Sequence, residues 1–449
     1  MARLFGTDGV RGVANKELTA LLAYKLGRAG AIVLAHSTFR RPNILVACDT
    51  RISCDMLESA LVSGICSTGA SAICLGVIPT PAVAYLTRLY EADAGIMISA
   101  SHNSFEFNGI KFFSDQGHKL LDETEDMIEK LVHDDSGTNY PLAENIGRKK
   151  ILSTASEDYI KYIESTVTTD FSGLKIVVDC ANGASYKIAP DLLTRLGAEV
   201  IAMNDSPDGI NINKKGGSNN IKYISRKVVE TKADLGLALD GDADRLICVD
   251  EKGNVVDGDA IVSILALDLK KKGLLVNNTM VVTVMSNLGV DVFAKEHGIN
   301  VVKSNVGDRY VLEEMLKSGY IIGGEQSGHV IMLQHNTTGD GLITAVQLVQ
   351  ILKREGCKFS DLSSVFTPFP QVLVNAKVRN SLKSKFMEDE DIASMCKSLE
   401  EEFEGKGRVL IRPSGTEPLV RVMIEGENHE YIKHKAELLA ALIESRLGT

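Results

Sequence analysis

Short apolar runs alternate with amphipathic stretches over most of the 449-residue chain, and that alternation predicts its elements. A helical period over 17–36 precedes a strand at 43–48, a helix near 53–69 and a strand near 72–78. A helix at 81–90 and a strand at 94–99 complete this first cycle. The second runs through Lys175-Ile176-Val177-Val178-Asp179, a helix near 184–196, Val200–Met203, a helix near 221–231 and Leu235-Gly236-Leu237-Ala238-Leu239-Asp240. Asp250–Asn254, set between Ile247–Val249 and Val255-Val256, reads as the turn of a hairpin. A third cycle has a helix at 259–272, a strand at 279–284, a helix at 287–297 and a strand at 300–304. Strands alternating with helices imply α/β units around largely parallel sheets. Beyond about residue 370 the order changes, with strands near 371–378 and 408–411 and helices near 388–403 and 430–446. The polar stretch 134–150 and the Pro368/Pro370 segment at 365–371 read as linkers. The expected fold is therefore three related mixed-sheet α/β domains (1–150, 151–256, 257–367) followed by an α+β domain (368–449).

Composition narrows the function classes. With 49 basic and 59 acidic residues the formal charge is −10, and there is no Trp. Such a chain lacks a general electrostatic footprint for nucleic acid or membrane, though a local basic pocket for a small anion stays open. The helical stretch at 18–35 is broken by Lys25, Arg28 and Gly30, so no run spans a bilayer. Met1–Gly6 has no apolar core, so no secretory leader is expected. The eight cysteines never form a C-x-x-C pair and several sit in apolar runs, which predicts buried, reduced thiols in a cytoplasmic protein.

Three polar clusters follow predicted strands. In Asp240-Gly241-Asp242-Ala243-Asp244-Arg245, three carboxylates at spacing two repel one another unless a cation sits between them, and oxygen-only ligands select a hard ion such as Mg²⁺. An EF-hand is rejected because Arg245 occupies the position that needs Gly and both flanks read as strands. Ser99-Ala100-Ser101-His102-Asn103-Ser104 places small polar residues at a strand's C-terminal end, where α/β proteins carry out chemistry. A Ser-His-Asp hydrolase is disfavoured there: no G-x-S-x-G elbow exists, and an adjacent His is expected to point away from its Ser. Arg412-Pro413-Ser414-Gly415-Thr416-Glu417-Pro418, with Arg421, suits an anion nest but lacks P-loop spacing. Taken alone, the second and third clusters read equally as ordinary turns, as do Gly6–Gly12 and Gly323–His329.

In this order, Gly6–Gly12, Ser99–Asn103, Asp240–Arg245, Gly323–His329 and Arg412–Pro418 resemble the motifs of the α-D-phosphohexomutase superfamily, and within it the members acting on glucosamine phosphates. The resemblance implies four domains around a central cleft and an isomerase interconverting glucosamine 6-phosphate and glucosamine 1-phosphate, in supply of amino-sugar nucleotides and cell wall. Phosphoglucomutase or phosphomannomutase activity, or a weakened sugar-phosphate-binding protein, are the alternatives. It implies Ser101 as a phosphoserine that also ligates Mg²⁺ held by Asp240, Asp242 and Asp244, with glucosamine 1,6-bisphosphate as intermediate and activator. Lys111 matches a general acid/base, a role that needs its pKa lowered by burial or nearby cations. His102, Arg11 and Arg245 complete the catalytic group; Glu325 and Ser327 match binders of sugar hydroxyls, and Gln326 the glucosamine form of that loop. Arg412, Ser414, Gly415, Thr416 and Arg421 match the site for the non-reacting phosphate. The expected partner is a small sugar phosphate, not nucleic acid or membrane, with a homodimer as an open option. Ser104 departs from the family's usual Pro, and 216–220 lacks the expected Cys at 216 and Thr at 219.

Overall fold

Ala94–Ile98 and Leu235–Leu239 are apolar along their whole length and buried at every position, as strands covered on both faces require. The computed structural model describes residues 3–6, 8–35, 40–134, 140–403, 406–414 and 418–448. Among these, Val10–Val13 (β1), Asn43–Cys48 (β2), Ser71–Val77 (β3), Ala94–Ile98 (β4), Phe107–Ser114 (β5) and Lys149–Ile151 (β6) form a sheet of order β1-β5-β4-β2-β3-β6. Lys175–Asp179 (β7), Glu199–Met203 (β8), Leu235–Leu239 (β9), Leu246–Asp250 (β10) and Val255–Val256 (β11) form a second, β11-β10-β9-β7-β8. A third, β13-β12-β14-β15, takes Thr279–Thr283 (β12), Asn300–Ser304 (β13), Ile322–Gly324 (β14) and Val330–Met332 (β15). In a fourth, Gln371–Lys377 (β16) and Gly407–Pro413 (β17) flank Leu419–Gly426 (β18), all antiparallel.

The first three sheets share one device. β4 runs parallel to β2, β9 to β7 and β14 to β12; each is then followed by a strand that returns antiparallel, β5, β10 and β15. The loops at these three reversals carry the Ser101, Asp240–Arg245 and Glu325–His329 motifs. The sheets are thus mixed, as the expected fold has them: the parallel pairs that the alternation suggested carry antiparallel edges.

The chain divides into two compact units, Met1–Met285 with Ile299–Val365, and Ser286–Gly298 with Phe366–Thr449. The first contains the three mixed sheets and their helices, except Gly289–His297. Its cores include Leu26, Ile44, Leu61, Ile96 and Phe112 around the first sheet and Val177, Ile224 and Val249 around the second. In the second unit Ile392, Leu399, Val422, Ile424, Leu439 and Ile443 pack helices Glu390–Glu402 and His429–Leu447 on the fourth sheet.

Several expectations change. Lys149 and Lys150, placed at the end of the 134–150 linker by their polarity, start the strand Lys149–Ile151, which pairs with β3 although all three residues are exposed; backbone bonding defines this strand, so no apolar pattern marks it. The helix expected from 184 begins at Ile188, because Ala181 and Asn182 take left-handed φ (54° and 50°) in a preceding turn. Helix Gly289–His297 groups with the second unit, where Leu288 N donates to Glu425 Oε2 (3.1 Å) and Asn287 exchanges hydrogen bonds with the Phe369 backbone. All eight cysteines are free, but Cys66 is half-buried and Cys357 exposed. No helix among the described residues is long and apolar enough to cross a membrane.

Inside the first unit, Asp340 caps helix Gly341–Glu355 by accepting from Leu342 N and Ile343 N, and its other oxygen accepts from Tyr159 Oη at 2.8 Å and Asn336 Nδ2 at 3.0 Å. Tyr159 lies on helix Ala155–Ser165 and is wholly buried. Tyr159→Phe removes a hydrogen bond to a buried carboxylate, so the urea midpoint should fall by the equivalent of about 1.5–3 kcal/mol. An unshifted midpoint would show that the bond contributes nothing.

Candidate active site

Ser101 sits on the β4–β5 reversal, 1% exposed and with φ of 51°. Its N–H donates to Ser99 Oγ (3.0 Å), whose hydroxyl donates to the buried Asp49 Oδ2 (2.6 Å). Its own hydroxyl donates to Asp240 Oδ2 at 2.6 Å, which joins residues 139 positions apart. His102 does not point away as expected: its Nδ1 lies 3.4 Å from Ser101 Oγ. Burial, reinforced by Arg245 and Arg11, brings the His102 imidazole down to about 4, so it is neutral at pH 7.

On the β9–β10 reversal, Asp240, Asp242 and Asp244 are all buried, each with a ligand oxygen within 4.8 Å of the others. Asp242 Oδ2 accepts from Thr80 Oγ1 (2.5 Å) and Lys111 Nζ (2.8 Å), and Thr80 N donates to the Asp242 carbonyl (3.0 Å). Helix Thr80–Leu89 of the first sheet therefore starts against this acidic loop. Asp242 Oδ1 and Asp244 Oδ1 are buried without a hydrogen-bond partner. Orphaned buried carboxylate oxygens converging from one loop fit a hard divalent cation. Burial and the neighbouring Asp244 and Asp242 push the Asp240 carboxyl well above its ordinary range. For Asp244, burial is outweighed by Lys111, His329 and Arg245, which hold it well below that range.

Lys111, buried on β5, differs from its expectation. Burial alone would lower its ammonium, but Asp242, Asp8 and Asp244 outweigh that effect and hold it above the ordinary lysine value. Carboxylates surround it where cations were expected. Asp8 Oδ2 is 2.9 Å from Lys111 Nζ and also pairs with Arg11, while Asp8 Oδ1 takes Lys119 Nζ at 2.6 Å. Lys119 continues to Asp308, and His329 lies 3.6 Å from both Asp308 and Asp244. Asp8, Lys119, Asp308 and His329 thus belong to the site without having been assigned from sequence. Asp8 and His329 lie inside the Gly6–Gly12 and Gly323–His329 motifs; Lys119 and Asp308 carry no local signal.

Asp8, Arg11, His102, Asp244, Arg245, Asp308, Glu325 and His329 line a cavity of about 480 Å³. Arg11 and Arg245 each present a buried Nε–H without a hydrogen-bond partner, donors suited to anionic oxygens. Glu325 Oε1 accepts from Gly307 N (3.1 Å), and Ser327 Oγ reaches Glu325 Oε2 at 3.4 Å from an exposed position. Thr7 lies outside the described residues. In the second unit, Arg412 on β17 stands directly opposite Arg421 on β18, next to the buried Ser414. Burial and Arg421 lower the Arg412 pKa, so this pair of like charges favours an anion between them. Gly415 and Thr416 lie outside the described residues.

Family models match nearly the whole chain: phosphoglucomutase/phosphomannomutase alpha/beta/alpha domain I at residues 2–138, domain II at 157–253, domain III at 257–369 and the C-terminal domain at 373–442. A phosphoglucosamine mutase of Acetivibrio thermocellus is 59% identical over 449 residues, covering 100% of both chains. One of Clostridium novyi is 57% identical over 447 residues, covering 99% of each. In fold, the chain is similar to a phosphoglucomutase/phosphomannomutase family protein of Burkholderia thailandensis (TM-score 0.82, 23% identity, 99% and 97% covered). It is similar also to Aspergillus fumigatus N-acetylphosphoglucosamine mutase, solved with GlcNAc-6P and magnesium (TM-score 0.69, 18% identity, 99% and 96% covered). Matched by four domain models and by full-length relatives at this identity, the chain belongs to the phosphoglucosamine mutase family of the phosphohexomutases, and it is an isomerase.

Proposed function

We propose that the chain interconverts glucosamine 6-phosphate and glucosamine 1-phosphate by lending a phosphoryl group from Ser101 and taking the other back. The observation that supports this most is the 2.6 Å contact of the buried Ser101 hydroxyl with Asp240, beside two carboxylate oxygens that lack partners. Phosphate moved between C6 and C1 without a second substrate needs a store, and a serine ester is one. The phosphorus–Ser101 Oγ bond breaks as a sugar hydroxyl bonds to phosphorus. The resulting glucosamine 1,6-bisphosphate turns end for end, and its other phosphoryl group returns to Oγ. Asp240, Asp242 and Asp244, with an oxygen on Ser101, would hold Mg²⁺, which supplies charge neutralisation to the transferring oxygens.

The chain's own groups divide the rest. Arg11 and Arg245 direct their unpartnered Nε–H donors at phosphoryl oxygens, electrostatic stabilisation of the kind that dominates such reactions. In the first transfer the sugar hydroxyl's proton ends on the released Ser101 Oγ; in the second the Lys111 ammonium gives its proton to the freed sugar oxygen and regains one from the attacking Ser101 hydroxyl. Neutral His102 hydrogen-bonds Ser101 Oγ. Glu325 and Ser327 bind sugar hydroxyls, while Arg412, Ser414, Gly415, Thr416 and Arg421 bind the phosphate that is not reacting, so that remote binding energy aligns the reacting end. We assign these tasks to domains 1–150 (carrier), 151–256 (metal), 257–367 (sugar) and 368–449 (phosphate), in a cytoplasmic enzyme.

Ser101→Ala should abolish turnover, by at least about 1,000-fold, in a coupled assay of glucosamine 1-phosphate formation, since covalent carriers act as units. Substantial residual turnover would sink the carrier assignment. Asp242→Asn should weaken Mg²⁺ binding by about tenfold or more in calorimetry and cut the rate; an unchanged titration would take Asp242 out of the metal site. Arg421→Ala should chiefly raise the dissociation constant for sugar phosphate by about 10-fold or more, the loss of a charge-assisted contact, and wild-type affinity would remove it from the site.

A further inference from the structure

The buried guanidinium of Arg51 has no part in the reaction above, yet four of its donors serve the loop that carries Ser101. Nη2 donates to the Ser101 and Asn103 carbonyls at 2.9 Å each. Nη1 donates to the carbonyls of Ser104 and of Phe107, the latter at 3.1 Å. Nε donates to Asp49 Oδ2 at 2.8 Å. A guanidinium has five N–H donors, and these contacts use all of them. Asp49 extends the grip, because its Oδ2 also accepts from Ser99 Oγ, which in turn accepts from Ser101 N.

A second hold comes from the 211–220 segment. Asn213 Nδ2 donates to the same two carbonyls, of Ser101 and Asn103, at 2.9 Å each. Its own backbone is fixed by a bond from Asn213 N to Ala181 O (2.8 Å). The approach is close: a Cβ added to Gly241 would lie 2.5 Å from the Ser101 carbonyl oxygen and 2.9 Å from Asn213 Nδ2. These contacts converge on a serine in the left-handed region, a conformation that a non-glycine residue keeps only when its surroundings over-determine it.

We propose that Arg51 and Asn213 are positioning residues that hold Ser101 in this turn, with Oγ directed at Asp240, and that their grip governs phosphoryl transfer and not sugar affinity. The proposal rests on the reading of Ser101 as the carrier. Loosening the loop lets water compete: water replaces Ser101 Oγ on phosphorus, and Oγ recovers a proton as inorganic phosphate leaves.

The test uses the full Mg²⁺-loaded chain, phosphorylated at Ser101, as parent, Asn213→Ala and Arg51→Lys. Thermal unfolding, kcat and KM, and the lifetime of the phosphoserine by intact mass are measured on each. The expected result is a kcat lower by about 10- to 100-fold, the scale of a small misplacement of reacting groups, with KM within about twofold and a phosphoserine lost to water several-fold faster. Asn213→Ala leaves the Asp49–Arg51 pair whole and decides alone if Arg51→Lys does not fold. A folded Asn213→Ala with parental kcat and phosphoserine lifetime overturns the proposal, as does an activity loss that merely tracks the loss of folded protein. A parent that carries no phosphate on Ser101 overturns the carrier reading itself, and the two failures are thereby told apart.

Discussion

Three buried carboxylates within one short loop are the constraint around which the first unit is organised. Like charges at such separations repel strongly where water is excluded, and each neighbour reflects that. Asp240 is driven toward its neutral form and takes the Ser101 hydroxyl; Lys111 is held charged between Asp242, Asp8 and Asp244. Thr80, at the head of a helix of the first sheet, spends both backbone and side-chain donors on Asp242. The cations and hydroxyls around the loop come from elements far apart in sequence, so folding itself brings the opposite charge to the acidic cluster. What the chain leaves unsatisfied, one oxygen each on Asp242 and Asp244, defines the room for a metal.

The legible parts of the fold were those whose physics is local. β4 and β9 are uninterrupted apolar runs, and burial on both faces follows from composition alone. β6 shows the opposite case: a strand formed at an exposed edge by backbone pairing leaves no mark in side-chain pattern. β18, the middle strand of the fourth sheet, is masked in the sequence although its interior is apolar, because Arg421 and Glu425 interrupt the run and turn-forming residues precede it. At the site, residue types and order exposed the acidic loop and the serine loop. The surroundings of Lys111 were not readable, since the carboxylates that set its charge state lie 131 residues later at Asp242 and 103 earlier at Asp8. The inference of a depressed lysine took burial into account but not which charges burial would bring near.

The three mixed sheets place their chemistry by one rule. Each positions a functional loop where a strand parallel to its inner neighbour is followed by one that runs back, so the backbone reverses and presents polar groups beyond the strand's carboxyl end. The Ser101, Asp240–Arg245 and Glu325–His329 motifs are thus variations of one structural position, filled with different residues. Arg245 and His329 form an isolated backbone bridge that joins two of these loops directly.

The threading of the second unit has a practical corollary for anyone trimming the molecule. Ser286–Gly298 reaches it from the middle of the chain, and there Arg408 Nη2 bonds the Ser286 carbonyl while the wholly buried Glu425 receives Leu288 N. No single cut releases this module intact. A chain stopped at Val365 strands an orphan helix with its contact face uncovered, and a fragment begun at Phe366 buries Glu425 without that donor.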